Sequence, residues 1–265
     1  MIASHRVWAY ILRHLYEIVA TFDRKLDIFF WPTIDLLVFG LLSVYIQKIN
    51  NAAQAEFAGV LIGGIIFWSL VYSTQRDISV SLLEDAWSRN LYNLFSTPLT
   101  VGEIMVGTLL LSFFKALLTA VFTTFLAWLL FGFNLFSLGP FLVASIVSIF
   151  VFGWAFGFIT ASLIFRFGTK VQIFAWSLIA LIYPISGVFY PVSVLPKILS
   201  VVARFLPVSY VFESFRTIVV RGQTPPIADL VLMPILNVVY LILGIVLFIV
   251  GFRNAKARGW FIHPS

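Results

Sequence analysis

Six apolar stretches, at residues 28–47, 57–77, 103–131, 139–165, 171–190 and 229–250, constrain this chain more than any other feature. Each runs for about 20 residues or more, the length a helix needs to cross a hydrocarbon core roughly 30 Å thick. Backbone donors and acceptors inside a bilayer must be satisfied within the protein, so such runs fold as helices. Barrel strands would be about 10 residues long and would alternate. Composition agrees: 61% of the residues are hydrophobic and 11% charged, with a mean hydropathy of +1.04. A soluble domain is roughly one quarter charged. The expectation is an all-α membrane protein with six transmembrane helices, one membrane domain over residues 1–265, without internal repeats or a soluble domain.

Basic residues orient the spans. With six crossings, one side holds Arg6, Arg13, Arg24, Lys25, Arg76, Arg89, Arg166, Lys170, Arg253, Lys256 and Arg258. The other holds only Lys48, Lys197, Arg204, Arg216 and Arg221. The richer side is cytoplasmic, so both termini are expected there, in a multi-pass protein of the plasma (inner) membrane. The net charge of +6 follows this topology and is no nucleic-acid signature. Charge interleaved with the first apolar residues argues against a signal peptide.

Residues 4–26 read as an amphipathic N-terminal helix. Trp8, Ile11, Leu12, Leu15, Val19, Phe22 and Leu26 recur at helical spacing, opposite Arg6, Arg13, Glu17 and Arg24. That pattern suits a helix lying in the membrane interface, or one packed on a soluble partner.

The stretch GVFYPVSVLPKILSVVARFLPVSYVFESFR, residues 187–216, is apolar but cut by Pro191, Pro196 and Pro207. Between the last two lies a piece far too short to cross, and it carries Lys197 and Arg204. A re-entrant helical hairpin on the outer side is expected over 189–216, with a link to 222. Pro191 would break the fifth span, Pro196 start the short helix and Pro207 stop it. Glu213 and Arg216, three apart, can pair on one helical face. They would pin the return limb at an outer gate or form an ordinary interfacial ion pair.

Catalytic motifs are missing. No Gly-Lys dipeptide occurs, hence no phosphate-binding loop of the G-x-x-x-x-G-K type. There is no cysteine, the three histidines lie near the ends, and no carboxylate cluster resembles a metal site. The chain is expected to be no enzyme and to hold no cofactor or metal. Lys115 is the one charge deep in an apolar run, roughly 18 Å along a helix from Glu103 and near the bilayer middle. It is either a pathway residue or half of a structural pair, with Asp35 of the first span as partner. Gly59-x-x-x-Gly63 and Gly153-x-x-x-Gly157 permit close helix approach, more within a protomer than between two.

Between the second and third spans, SLLEDAWSRNLYNLFSTPLTVGE reads as a cytoplasmic helix over 82–98. Trp87, Leu91, Leu94 and Phe95 share one face, and Arg89, Asn90 and Asn93 another; Thr97-Pro98 ends it, and Thr100 with Glu103 forms a capping box for the third span. Such a helix docks on a soluble partner or lies on lipid as a second interfacial helix.

These parts together resemble the permease subunit of type-2 ATP-binding-cassette exporters. The resemblance rests on the N-terminal helix, six spans, the Thr97-Pro98-Leu99-Thr100 and Glu103 ending, and the Tyr190-Pro191, Leu195-Pro196, Pro207, Tyr210, Glu213 and Arg216 series. It implies a dimer, a homodimer of this chain, whose central seam is the pathway. Separate ATPase subunits, holding ATP and magnesium, would dock below. Glu84, Asp85, Trp87, Arg89, Leu91 and Phe95 would then form the main coupling helix, with Arg166 and Lys170 in a minor contact. Lys115, Asp35, Tyr190, Pro191, Pro196, Pro207, Tyr210, Glu213 and Arg216 would serve the pathway or its gate. Many relatives carry a Gly-Thr-Leu-Glu-type sequence where this chain has Trp87-Ser88-Arg89-Asn90-Leu91, so the resemblance does not identify the ATPase.

The function expected is ATP-driven export of an amphiphilic substrate such as a drug, antibiotic, lipid or glycolipid. Export of a polysaccharide or lipid-linked glycan is the nearest alternative. An ion-coupled carrier would show two related halves, which are not seen. A membrane scaffold would explain the docking helix but not the broken hairpin.

Overall fold

The computed structural model describes residues 3–49, 55–87, 97–168 and 171–257. Among them every regular element is helical. In chain order these are α1 (Ser4–Ala20), α2 (Phe22–Ile49), α3 (Ala55–Trp87), α4 (Val101–Phe131), α5 (Pro140–Phe167), α6 (Phe174–Ile182), α7 (Lys197–Ala203), α8 (Pro207–Arg221) and α9 (Ile227–Ala257). Short 3-10 turns at Leu135–Leu138 and Val192–Val194 join α4 to α5 and precede α7.

Five helices are long and apolar enough to cross a membrane: those carrying Ile28–Lys48, Phe57–Ser81, Val101–Phe131, Pro140–Phe167 and Ile227–Ala255. The fifth expected span, 171–190, is not among them. Its helix α6 has nine residues and gives way to turns at Tyr183–Gly187. The break comes earlier than Pro191, because Pro184 has no N–H to continue the ladder and Gly187 adopts φ 74, a left-handed conformation open to glycine. The segment still travels along α3: Ala175 meets Gln75, and Val188 lies against Gly64. That is roughly 16 Å of α3 axis. Five to six traversals result.

The long α3 holds the bundle together. Its 33 residues are 78% buried over the apolar window, against 22% for α2. Glycines set its distance from the neighbours. Gly153 of α5 sits against Thr74, and Gly157 against Ile78, at distances a Cβ would reduce to 2.8 Å. Gly63 leaves the space that the Phe215 ring of α8 fills, and Gly59 faces Val219. Both small-residue motifs therefore pack within the protomer, as expected. A buried knot reinforces them: Gln75 Nε2 donates to Ser79 Oγ, to Thr160 Oγ1 at 3.3 Å and to the Ala175 carbonyl at 3.2 Å, tying α3 to α5 and the start of α6.

At one end of the bundle Ala3 meets Glu103, and Ala255 joins a core cluster with Met105, Ala161 and Phe165. The two ends of the described chain thus lie together. α1 and α2 are separate helices. The amphipathic pattern over 4–26 is broken at Thr21, which is extended (φ −108, ψ 119), and residues 22–26 open the first-span helix instead. α1 buries Val7, Tyr10, Ile11 and His14 against α4 and turns Trp8, Leu15, Tyr16 and Val19 outward.

Candidate functional site

The polar groups gather in two places, one midway along α4 and one at the proline-broken segment. The first is built on Lys115. Its ammonium donates to Asp77 Oδ1 at 2.6 Å, from α4 to α3. The expected partner, Asp35, does not make this pair. It stands on the exposed face of α2, whereas Asp77 is buried beside α4. Asp35 is the lone acid of the first span, whereas the actual partner stands at the end of the second, 38 residues from Lys115. Lys115 lies near the middle of α4, about 21 Å of helix from Val101 and about 24 Å from Phe131. Ile18 and Arg24, from the end of α1 and the start of α2, line the same cavity.

Two cavities meet at this ion pair. A small one of about 60 Å³ is bordered by His14, Arg24, Arg76 and Ser112. A second, about 150 Å³, is bordered by Trp31, Asp35, Trp68, Tyr72 and Arg76. Asp77 and Lys115 line both, and Asp77 Oδ2 is buried without a hydrogen-bond partner. Aromatic rings continue from here: Trp68 packs on Tyr183 at 4.4 Å, and Tyr183 on Phe189 at 5.5 Å. The Arg76 guanidinium lies over the Tyr72 ring at 5.5 Å.

α1 is tied to the start of α2 by charge. Glu17 accepts from Arg24 at 2.9 Å and Arg13 at 3.2 Å, with His14 Nδ1 at 3.6 Å. Partial burial of Glu17 opposes ionisation. The Arg24 hydrogen bond and the charges of His14, Arg13 and Arg24 outweigh it and hold the carboxyl below its usual range. The support this cluster gives is thus present above the ordinary carboxylate range and fades as pH falls through the lowered value. Glu103 forms the expected capping box with Thr100 (2.8 and 3.2 Å) and also accepts from the Ala3 N–H at 2.9 Å. Arg6 donates to the Pro98 carbonyl at 2.8 Å. The start of α1 is therefore bolted to the end of the segment expected to dock a partner.

That segment is described only at its edges. Residues 82–87 continue α3 without a break, so no separate helix begins there. Arg89, Leu91, Phe95 and Lys170 lie outside the described residues, as do the side chains of Glu84, Asp85 and Trp87. Arg166 stands in the last turn of α5, with its guanidinium over Phe167.

The second group is a latch. Glu213 on α8 accepts from the Val192 N–H at 2.6 Å and from Arg216 at 3.1 Å. Arg216 reaches on to the Gly187 carbonyl at 2.7 Å. One ion pair thereby satisfies backbone groups on both sides of Pro191, at Gly187 and at Val192. Tyr190 donates to the Pro184 carbonyl, and Tyr210 to the Arg204 carbonyl at 2.9 Å, so each tyrosine ties off a bend. Pro191 opens the 3-10 turn and Pro196 caps α7. Pro207 does not stop α7, which ends at Ala203. It stands at the first position of α8, where its missing N–H costs nothing. α7 and α8 meet at 96°. Arg216→Met removes three hydrogen-bond donations and strands Glu213; a loss of about 2 kcal/mol is expected by thermal unfolding in detergent. Unchanged stability would mean that water replaces the latch.

No match is found among the curated proteins. Residues 38–252, from within α2 to the last turns of α9, match the family described as ABC-2 family transporter protein. A stretch of that length takes in the Lys115–Asp77 pair, the Glu213–Arg216 latch and every helix after α2, so the chain belongs to the ABC-2 transporter permeases, membrane components of transport rather than catalytic subunits.

Proposed function

We propose that two copies of this chain form the pathway of an ATP-driven exporter for an amphiphilic substrate. The observation that carries the dimer is Asp35. It is exposed on α2 within the apolar window Ile28–Lys48, and no hydrogen bond to it is found among the described residues. A carboxylate facing lipid at a helix centre costs about 2.5–3.5 kcal/mol on insertion scales. Apposition of a second copy, around a water-filled seam, removes that cost. The cavity beside Asp35 mixes Trp31, Trp68 and Tyr72 with Arg76 and Lys115, a lining suited to a molecule with apolar and charged parts.

The family implies an ABC ATPase partner. ATP and magnesium belong to that partner. α3 and α4, of 33 and 31 residues, exceed a roughly 30 Å core by about 15–20 Å. The excess supports a cytoplasmic platform made of residues 82–98, with the turn at Arg166–Lys170 beside it. Both termini are then cytoplasmic, in an inner (plasma) membrane. α1 rests in the interface with Trp8, Leu15, Tyr16 and Val19 toward lipid. At the other end 189–216 enters the outer leaflet and leaves again as a lid on the seam, held by the Glu213–Arg216 latch.

Two experiments test this reading. Leu91→Asp should release the copurifying ATPase, or uncouple its hydrolysis from transport, while the permease stays folded; an unchanged complex with unchanged turnover removes the docking assignment. Single cysteines at Lys197, Arg204 and Gly222, in a chain with none of its own, should all react with an impermeant thiol reagent from outside. Labelling of Gly222 from the cytoplasm alone would mean that the segment crosses.

A further inference from the structure

A separate polar pocket lies behind the outer latch. It holds about 290 Å³ between the 3-10 turn, α7, α8 and the first turn of α9. That is near the lower end of ligand pockets, about 300–1,000 Å³, and suits a headgroup more than a whole amphiphile. Its polar lining is Ser193, Ser200, Arg204, Ser209, Glu213 and Asp229, with Tyr210 at one wall. Ser209 is only 3% exposed, and its hydroxyl has no hydrogen-bond partner. A buried hydroxyl so placed has donor and acceptor capacity to offer a ligand.

The charges specify which ligand. Neither Arg204 nor Asp229 forms an ion pair among the described residues, and Glu213 spends only part of its capacity on Val192 and Arg216. A metal ion is disfavoured, since no group of three metal-ligating side chains occurs among the described residues. A simple anion would face two carboxylates, and a simple ammonium would leave the guanidinium unanswered. A group carrying both charges satisfies both. The surroundings are apolar: Val194, Ile198, Phe205 and Ile227 are 62–80% exposed around the pocket. Exposed side chains of this kind at the end of a membrane bundle immerse in acyl chains.

We infer that this pocket binds a zwitterionic phosphoethanolamine headgroup, its phosphate on Arg204 and the serine hydroxyls and its ammonium on Asp229 and Glu213. The apolar rim makes a membrane lipid the favoured source over a soluble headgroup. Because Glu213 also holds the Val192 N–H, an ammonium bound there draws on the latch carboxylate. Occupancy of the pocket and closure of the turn over it are thus linked through one side chain. The site stands on the pocket alone; the proposed topology enters only in naming the outer leaflet as the supplier.

The test uses the full chain in detergent, titrated with short-chain phosphatidylethanolamine and, separately, phosphatidylglycerol of the same chains, with bound lipid read by native mass spectrometry. A preference of about tenfold for phosphatidylethanolamine is expected, the size of one charge-assisted hydrogen bond. Asp229→Asn and Arg204→Gln should each weaken its binding about tenfold, with Arg204→Lys retaining most of it. Arg204 is exposed, so its replacement leaves the fold intact even if the Asp229 variant proves unstable. Equal binding of the two lipids, or unchanged binding in Arg204→Gln, overturns the site. Free phosphoethanolamine competing at the lipid's own concentration would keep the headgroup chemistry but assign a soluble source; failure to compete assigns the lipid. ATPase docking does not enter this measurement, so the exporter reading stands or falls by the Leu91→Asp result instead.

Discussion

Replacing Lys115 by Met is expected to destabilise the protein by about 3 kcal/mol, because it leaves the Asp77 carboxylate without its only ion partner among the described residues. Asp77 is 7% exposed at its side chain and Lys115 22%, so the acid cannot recover full hydration when the lysine goes. Its Oδ2 is already unpartnered. Asp77→Leu alone should be comparably harmful, for the stranded charge is then the ammonium. The double change Lys115→Met with Asp77→Leu should return most of the loss, since the desolvation of both ions disappears with them. Thermal unfolding of the four proteins in detergent gives the coupling energy directly. Combining Lys115→Met with Asp35→Leu, by contrast, should recover nothing. Rescue by Asp35→Leu, or no loss in Lys115→Met, would overturn the assignment of the pair. Transport measured on the double variant separates structure from function. Lost export with recovered stability would make the ion pair part of the pathway as well as of the fold.

Gly63→Leu should be as damaging by a different route. A Cβ at this position collides with the Phe215 ring and comes to 3.0 Å from Phe133. Phe215 is fully buried and stands edge-on to Phe67 at 5.3 Å, so it has nowhere to retreat. Overpacking of this kind costs about 1–3 kcal/mol, and the upper figure applies where two helices must separate. The helices concerned are α3 and α8, and α8 carries Glu213 and Arg216. Loss of stability should therefore be accompanied by loosening of the outer latch, read as faster hydrogen exchange at the Val192 amide. Gly102→Ala is the contrasting case. Nothing lies within 4 Å of a Cβ there, so the change should be neutral or raise stability by about 0.5 kcal/mol. Equal effects from the two glycines would mean that the α3–α8 approach is not what Gly63 secures.

Local signals in the chain were sufficient for much of this architecture. The apolar run lengths announced the long helices, since a bilayer leaves the backbone no other way to satisfy itself. Thr100 and Glu103 announced their capping box because that interaction spans only three residues. The glycine pairs announced close helix contacts, and the three prolines a broken region with bends on either side. The Glu213–Arg216 pair was visible for the same reason: partners one helical turn apart need no tertiary information.

What crosses the fold was not visible. Lys115 chose Asp77, 38 residues away, over Asp35 because the rotation of α3 and α2 about their own axes decides which acid faces α4. Periodicity in an almost wholly apolar helix is too weak to report that rotation. The same limit hid Gln75, whose amide bonds to residues 85 and 100 positions distant. It also hid the division of labour on α1, where Ile11 turned to the protein and Trp8 outward although both belong to one apolar stripe. Boundaries shifted where two local rules competed. Pro184 with Gly187 ended the fifth segment before Pro191, and Pro207 began a helix rather than stopping one. Sequence alone thus determined that this chain is a bundle of membrane helices with a proline-broken segment, because hydrophobic length and backbone chemistry act residue by residue. Only the tertiary structure decided which charges meet and what the outer pocket encloses, because those depend on how separate helices are turned toward one another.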